Sequence, residues 1–179
     1  MLEYSKENRI EIIGIAETNI SGREGRYISV GNTDYRMVWA DSDEKKKKGS
    51  GVGIAINKKW ERHLARVEVI ESFAVKASFI FKKAELVFWS LYIPPNNEQQ
   101  QKRIQRQIMK SVIAAKQNTH HIIGGDFNIA EDPKLDNANI KKNNNNNKAK
   151  KRLPLLSWLR SLGFVETFRA CNPEAKKFS

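Results

Sequence analysis

An α/β sandwich, with helices covering the faces of β-sheets, is the fold class this sequence predicts, and three patterns predict it. Apolar β-branched residues run almost unbroken through Ile10, Ile12, Ile13 and Ile15, as in a strand buried on both faces. Phe73, Val75, Ala77, Phe79 and Phe81 alternate with Lys76, Ser78 and Lys82, the period of two that marks a strand with one face buried and the other meeting solvent or a covering layer. From residue 98 to residue 117 the period changes to that of a helix, and Ile104, Ile108, Met109, Val112 and Ile113 gather on one side. Strands of both patterns beside an amphipathic helix need packed layers to bury their apolar faces.

The elements follow in order. Residues 2–8 form the end of a helix, and the isoleucine run is the first strand. Residues 27–30 and 35–40 read as two more strands, parted by the turn residues Gly31, Asn32 and Asp34. Residues 41–50 are a flexible basic loop with four lysines in a row, Lys45 to Lys48. Residues 51–57, GVGIAIN, are strand-like, with glycines that let another backbone come close. The alternating segment 73–81 turns at Lys83 and Ala84 into a continuous apolar strand over 86–92, which Pro94 and Pro95 terminate. After the helix, residues 121–125 return to a strand. A second flexible basic loop, 141–151, contains five consecutive asparagines and has no apolar face to bury. Leu153, Leu156, Leu159 and Leu162, with Trp158, then predict a short helix starting near Pro154 and capped by Gly163. Residues 164–168 are the last predicted strand.

Composition narrows the partners. The chain has 179 residues, 40% of them hydrophobic, so one domain over 1–179 can bury a core of its own. Lys and Arg number 32 against 20 Asp and Glu, a net charge of +12, which favours an anionic partner such as nucleic acid. One cysteine, Cys171, leaves no intramolecular disulfide and fits a reducing compartment. No apolar run approaches the roughly 20 residues that span a bilayer, and no secretory signal opens the chain. The expectation is an intracellular protein without a membrane or an obligate protein partner.

Three short segments carry chemistry. IIGIAET, residues 12–18, is a strand ending in the carboxylate Glu17. GGDFN, residues 124–128, is another ending in Asp126, with Asn128 two positions on. LYIPPN, residues 91–96, places Tyr92 at a strand exit. A carboxylate at the end of a core strand is rigidly held and still reaches a cleft. Hard divalent cations such as Mg²⁺ take one or two carboxylates, several waters and substrate phosphate oxygens. A carboxylate that is not a ligand can align and deprotonate water, while an amide or phenol donates to a developing pentacoordinate phosphate. Taken singly, a terminal Glu is commonly exposed, a Tyr is commonly packed, and Asp126 with Asn128 could simply form an Asx turn. The ordered set of all three is more specific.

These motifs resemble the endonuclease/exonuclease/phosphatase superfamily, and within it the endonuclease domains of non-LTR (LINE-like) retrotransposons and the apurinic-site endonucleases. The similarity also takes in GVGIAIN followed by Lys58, Lys59 and Trp60, the helix after LYIPPN, and LGFVETFRACNPEAKKFS at 162–179. The resemblance implies a four-layer α/β sandwich of two packed mixed β-sheets flanked by helices. It implies Mg²⁺-dependent hydrolysis of a DNA phosphodiester, with Mn²⁺ as a possible substitute. Glu17 becomes the metal-binding glutamate, Tyr92 the phosphate-binding tyrosine, Asp126 the water-activating aspartate and Asn128 a phosphate contact. DNA is expected to meet Arg103 and Arg106 on the helix, and Arg169.

Departures from the family pattern set further expectations. The family's first strand, with its asparagine, lies ahead of what resembles the start here, and its second Asp and Ser-Asp-His segment lie beyond Ser179. Glu166 stands where the family has Asp. The reading is therefore of an incomplete domain and a catalytically impaired fragment, nuclear if it acts on chromosomal DNA. The alternatives are a non-catalytic nucleic-acid-binding remnant and a superfamily phosphatase acting on small phosphates or lipids.

Overall fold

Val52, Ile54, Ala55 and Ile56 are wholly inaccessible to solvent, because β3 (Val52–Asn57) is the middle of a three-stranded antiparallel sheet. β1 (Ile12–Ala16) and β2 (Tyr35–Ala40) flank it in the order β1-β3-β2. A second sheet has the order β4-β5-β6-β7, from β4 (Leu64–Ile70), β5 (Ala74–Ile80), β6 (Glu85–Tyr92) and β7 (Thr119–Asp126). Its first three strands are antiparallel and β7 lies parallel to β6, so only this sheet is mixed. The computed structural model describes residues 1–31, 34–41, 49–95, 97–128, 154–173 and 175. These fall into two compact units, Met1–Phe127 and Asn128–Ser179. Both sheets belong to the first.

The sheets stack face to face, with β1 against β6 and β7, β3 against β5 and β6, and β2 against β4 and β5. Ser90, fully buried on β6, donates its hydroxyl to the Ile15 carbonyl at 3.4 Å and so fixes which face of β6 meets β1. Phe88, Ser90 and Tyr92 share that face, since side chains alternate along a strand. Trp89 and Leu91 point the other way and are also buried, at 1% and 0% exposure. α3 (Glu98–Ile113) is the crossover between the parallel strands β6 and β7, and a crossover helix packs on a sheet face. With the inner face taken by the other sheet, α3 covers the outer one through Ile104 and Ile108.

Helices and sheets thus form the layers that the resemblance implies. On the three-stranded sheet, α2 (Gly22–Ser29) lies over β2: Trp39 is held between Gly25 and Gly53, where any β-carbon would come within 2.6 Å of the indole. The indole N–H donates to Ser29 Oγ at 3.1 Å. α1 (Leu2–Glu7) precedes β1.

Several expectations change in the structure. Residues 27–30 belong to α2 and its C-cap, not to a strand. Ser21 and Glu24 make a capping box, with the Glu24 N–H donating to Ser21 Oγ at 3.2 Å and the Ser21 N–H to Glu24 Oε2 at 2.7 Å. That local bonding outweighs the β propensity of Tyr27, Ile28 and Val30. β1 is half-buried instead of buried on both faces, because it is an edge with one ladder partner among the described residues. For β5 the covering layer holds on the second face, since the strand is central in its sheet: Ala74 and Ser78 are buried as well as Val75, Ala77 and Phe79. β4, which the sequence reading left unassigned, carries Arg66 and Glu68 in its edge position. Ile113 is 72% exposed. Nine residues after Ile104 at about 100° per residue, it has rotated to the opposite side of α3.

The second unit contains α4 (Pro154–Ser161) and α5 (Thr167–Cys171). Leu155 and Leu159 are the buried leucines of α4, while Leu162 is half-exposed. Gly163, at φ 84°, ends α4 as expected, its N–H donating to the Arg160 carbonyl at 2.9 Å and that of Phe164 to Leu159 at 3.1 Å. The predicted strand at 164–168 is instead the entry to α5. The Glu166 carboxylate caps that helix by accepting the N–H groups of Phe168 and Arg169. A carboxylate one carbon longer than Asp performs the same capping here. Residues 42–48 and 141–151, including the tetralysine and the asparagine tract, lie outside the described residues.

Candidate active site

Asp126 is set in place by pairing. β6 and β7 run parallel, Tyr92 opposes Asp126, and the Ile93 N–H donates to the Asp126 carbonyl at 2.8 Å. The two side chains therefore stand side by side on the face that meets β1. Gly125 makes this pairing possible. Its φ is 136°, and a methyl group there would lie 2.0 Å from the Leu91 carbonyl oxygen. Only glycine lets β7 close on β6 one residue before the aspartate.

Tyr92 is held from the other side by β5. Its N–H donates to the Phe73 carbonyl at 2.8 Å, and its ring stacks on Phe73 with centroids 6.3 Å apart and planes 17° from parallel. Tyr92 is buried, at 5% exposure. Glu17 lies near its hydroxyl: a methyl group on Gly49 would lie 2.9 Å from the Tyr92 hydroxyl and 3.8 Å from Glu17 Oε1, so both groups flank Gly49. Glu17 itself is exposed, with φ 52°. Such a conformation is uncommon for a residue with a side chain, and residues held in it cluster at functional sites.

Glu17, Tyr92 and Asp126 thus occupy one end of the first unit, at the exits of β1, β6 and β7. Asn128 belongs to the second unit and is exposed, with φ 51°. Arg169, also in the second unit, spends Nη1 on the carbonyls of Ala175 at 2.6 Å, Pro173 at 3.3 Å and Asn172 at 3.5 Å. On α3, Arg103 is paired with Glu71 at 2.6 Å, while Arg106 is exposed. Glu71 also accepts from the Gln100 amide. The residue chosen as a DNA contact therefore also ties α3 to the β4–β5 turn that carries Phe73.

Sequence reasoning missed Asn19, Gly49, Phe73 and Gly125 as parts of this end. Gly125 could have been found from the doubled glycine before Asp126. Phe73 could not, because its alternation marks only a packed strand.

Among the described residues, no group of three or more His, Cys, Asp and Glu comes together, and no helix is long and apolar enough to cross a membrane. The donors at the strand exits are hard carboxylate oxygens, one exposed and one half-buried. They fit an ion that keeps most of its waters and takes few protein ligands, as Mg²⁺ does. They do not fit a closed thiolate or imidazole site.

Two stacked sheets with helices outside give the chain a fold shared with solved structures that include an AP endonuclease and TDP2. Among solved structures it is similar to the AP endonuclease LMAP from Leishmania major, at 13% identity and a TM-score of 0.69, over 97% of this chain and 63% of that one. It is also similar to D. rerio TDP2 humanized by 14 mutations, at 16% identity and a TM-score of 0.52, over 74% of this chain and 55% of that one. D. rerio TDP2 complexed with single strand DNA product matches at 16% identity and a TM-score of 0.51, over 75% of this chain and 54% of that one. The chain therefore spans between about half and two thirds of the length of these structures. No family model and no curated protein matches the sequence.

Proposed function

We propose that this chain is the phosphodiester-hydrolysing domain of a retrotransposon-like element, a Mg²⁺-dependent DNA endonuclease. The observation that carries the reading is the convergence of Glu17, Tyr92 and Asp126 at one end of a sandwich with this fold. DNA as substrate is supported by the net charge of +12 and by a neighbour of the same fold crystallised with a DNA product.

Each side chain has a role its placement allows. Glu17, exposed at the rim, would hold the divalent ion, Mg²⁺ or Mn²⁺, whose contribution when bound is to neutralise charge on the phosphate oxygens. Tyr92 presents its hydroxyl beside that carboxylate and donates to a phosphate oxygen, as an oxyanion donor would. Asp126 orients the attacking water and takes its proton. Asn128, two residues on, donates its amide to the phosphate. Arg106 supplies an exposed positive charge, with Arg103 and Arg169 as further phosphate contacts. If it acts on chromosomal DNA, the protein works in the nucleus.

Conversion of supercoiled plasmid to open circle tests the reading. Glu17→Gln and Asp126→Asn should each lower the Mg²⁺-dependent nicking rate by about 10²–10³-fold, the range for removing a group that acts in the transition state. Nicking that survives both substitutions would overturn it. A parent chain that binds duplex DNA with a steep salt dependence and never nicks would instead identify a non-catalytic nucleic-acid-binding remnant.

A further inference from the structure

Two residues beyond Glu17, Asn19 bonds in three directions. Its Nδ2 donates to the Glu17 carbonyl at 2.8 Å. Its Oδ1 accepts the Gly49 N–H at 2.8 Å and, more weakly, the Ser50 N–H at 3.4 Å, thirty residues along the chain. The backbone adds to the join: the Asn19 N–H donates to the Ser50 carbonyl at 2.9 Å and the Thr18 N–H to Gly51 at 3.1 Å. Asn19 has φ 52°, the left-handed region that asparagine tolerates better than most residues.

An Asx-type bond to Glu17 alone would be ordinary turn chemistry. The bonds to Gly49 and Ser50 are not local, and they fall on the segment that faces the site. A β-carbon on Gly49 would come within 2.9 Å of the Tyr92 hydroxyl and 3.8 Å of Glu17 Oε1, so Gly49 is near both. Gly51 in turn donates to the Ser72 carbonyl at 2.9 Å, in the turn that leads to Phe73 and its stack on Tyr92. One amide side chain therefore joins the exit of β1 to the entry of β3, between the carboxylate and the phenol.

We propose that Asn19 is a positioning residue, a latch that holds Glu17 in its φ 52° conformation and keeps its carboxylate on the Gly49 side of the site, toward Tyr92. The assignment rests on Glu17 being the metal-binding carboxylate. Without the latch, Glu17 is free to relax toward an ordinary backbone conformation and its carboxylate turns away. Mg²⁺ demands near-octahedral geometry, so a misdirected carboxylate binds it less well. Groups that orient a metal ligand typically contribute about 10–100-fold in metal affinity.

The test uses Asn19→Gly, because glycine accepts φ 52° at no steric cost and removes only the side chain. Amide hydrogen exchange at Gly49 and Ser50 reads the latch, and Mg²⁺ titration followed by the NMR shift of the Glu17 amide reads its consequence. The expected result is faster exchange at Gly49 and Ser50, a Mg²⁺ dissociation constant raised about tenfold or more, and an unchanged melting temperature. Asn19→Asp keeps the acceptor and should keep both amides slow to exchange. Faster exchange with unaltered Mg²⁺ affinity would reduce Asn19 to a structural bond and overturn the proposal, as would fast exchange in Asn19→Asp. A parent whose Glu17 amide ignores Mg²⁺ removes the metal reading of Glu17, and this assignment with it. A parent and an Asn19→Gly variant that respond equally remove this assignment alone.

Discussion

Where β3 and β5 finish, Trp60 packs edge-on against Phe79 and Phe81, with ring centroids 5.5 and 5.4 Å away, and His63 lies on Phe81 at 4.6 Å. Where β1, β6 and β7 finish, polar groups meet instead: a carboxylate, a phenol hydroxyl and a second carboxylate, over the backbone of Gly49 and Gly125. The first end is closed by rings that gain from mutual burial and from their edge-to-face geometry. The second is held by hydrogen bonds and by backbone in uncommon conformations, with Glu17, Asn19, Glu71, Gly49, Gly51 and Gly125 all at positive φ. Among the described residues of the first unit, Arg9, Gly31 and Asn118 are the others at positive φ, each in a turn ahead of a strand. The contrast separates an end held by mutual burial from one held by directed bonds. Rings can tolerate small shifts, whereas hydrogen bonds depend on direction, so the polar end is fixed by its backbone.

The largest effect expected from breaking this arrangement is that of Gly125→Ala. A β-carbon there meets the Leu91 carbonyl at 2.0 Å and the backbone φ of 136° is strained for alanine. Overpacking and strain together should cost about 3–5 kcal/mol, read as a shift in the urea midpoint, with loss of the β6–β7 pairing next to Asp126. A stability equal to that of the parent would show that β7 can move off β6 and that the tight pairing is not needed.

Trp60→Ala sharpens the comparison from the other end. It removes a half-buried indole from two edge-to-face contacts and should cost about 2 kcal/mol, less than for a fully buried ring. Its plasmid-nicking rate, measured well below the melting temperature, should match that of the parent. A fall in rate without a fall in folded fraction would mean the two ends are coupled.

The smallest effect is one of pH. Burial holds the His121 imidazole below its ordinary pKa, with Lys76 adding to the depression and Glu85 opposing it. The folded state therefore resists a proton that the unfolded chain accepts near pH 6.5. This stability is complete above about pH 6.5 and is lost as pH falls through the lower folded value. Because the ring is only half-buried, solvent screens the charged form and the loss is small. Thermal melts of the parent and of His121→Asn should converge as the pH is lowered from 7 to 5. Parallel curves over that range would refute the histidine's share in acid sensitivity.

The comparison also marks how much of each end was legible. Trp60 was visible only as part of a motif, and its partners Phe79 and Phe81 only as members of an alternating strand. Nothing in that alternation says that a ring about twenty residues earlier in the chain packs against them. The polar end was more open to reading, since Glu17, Tyr92 and Asp126 each terminate an apolar run. Two strands were misassigned because side-chain capping, by Ser21 with Glu24 and by Glu166, overrode residues of β propensity.

The sequence by itself determined the periodicities, and with them β3, β5, β6, α3 and β7, the glycine stop at Gly163, and the three strand-end groups. These are local properties: a period, a cap or a chain-breaking proline is written within a few residues. Only the tertiary structure decided that β1 is an edge, that β7 runs parallel to β6 with Asp126 beside Tyr92, and that Gly49 lies between Tyr92 and Glu17. Register and sheet order depend on which faces find partners far away in the chain, and no local pattern encodes that choice. Asn19 is the plainest case. Its side chain could have capped a turn anywhere, and it became a link between β1 and β3 only when the folded chain brought Gly49 within reach.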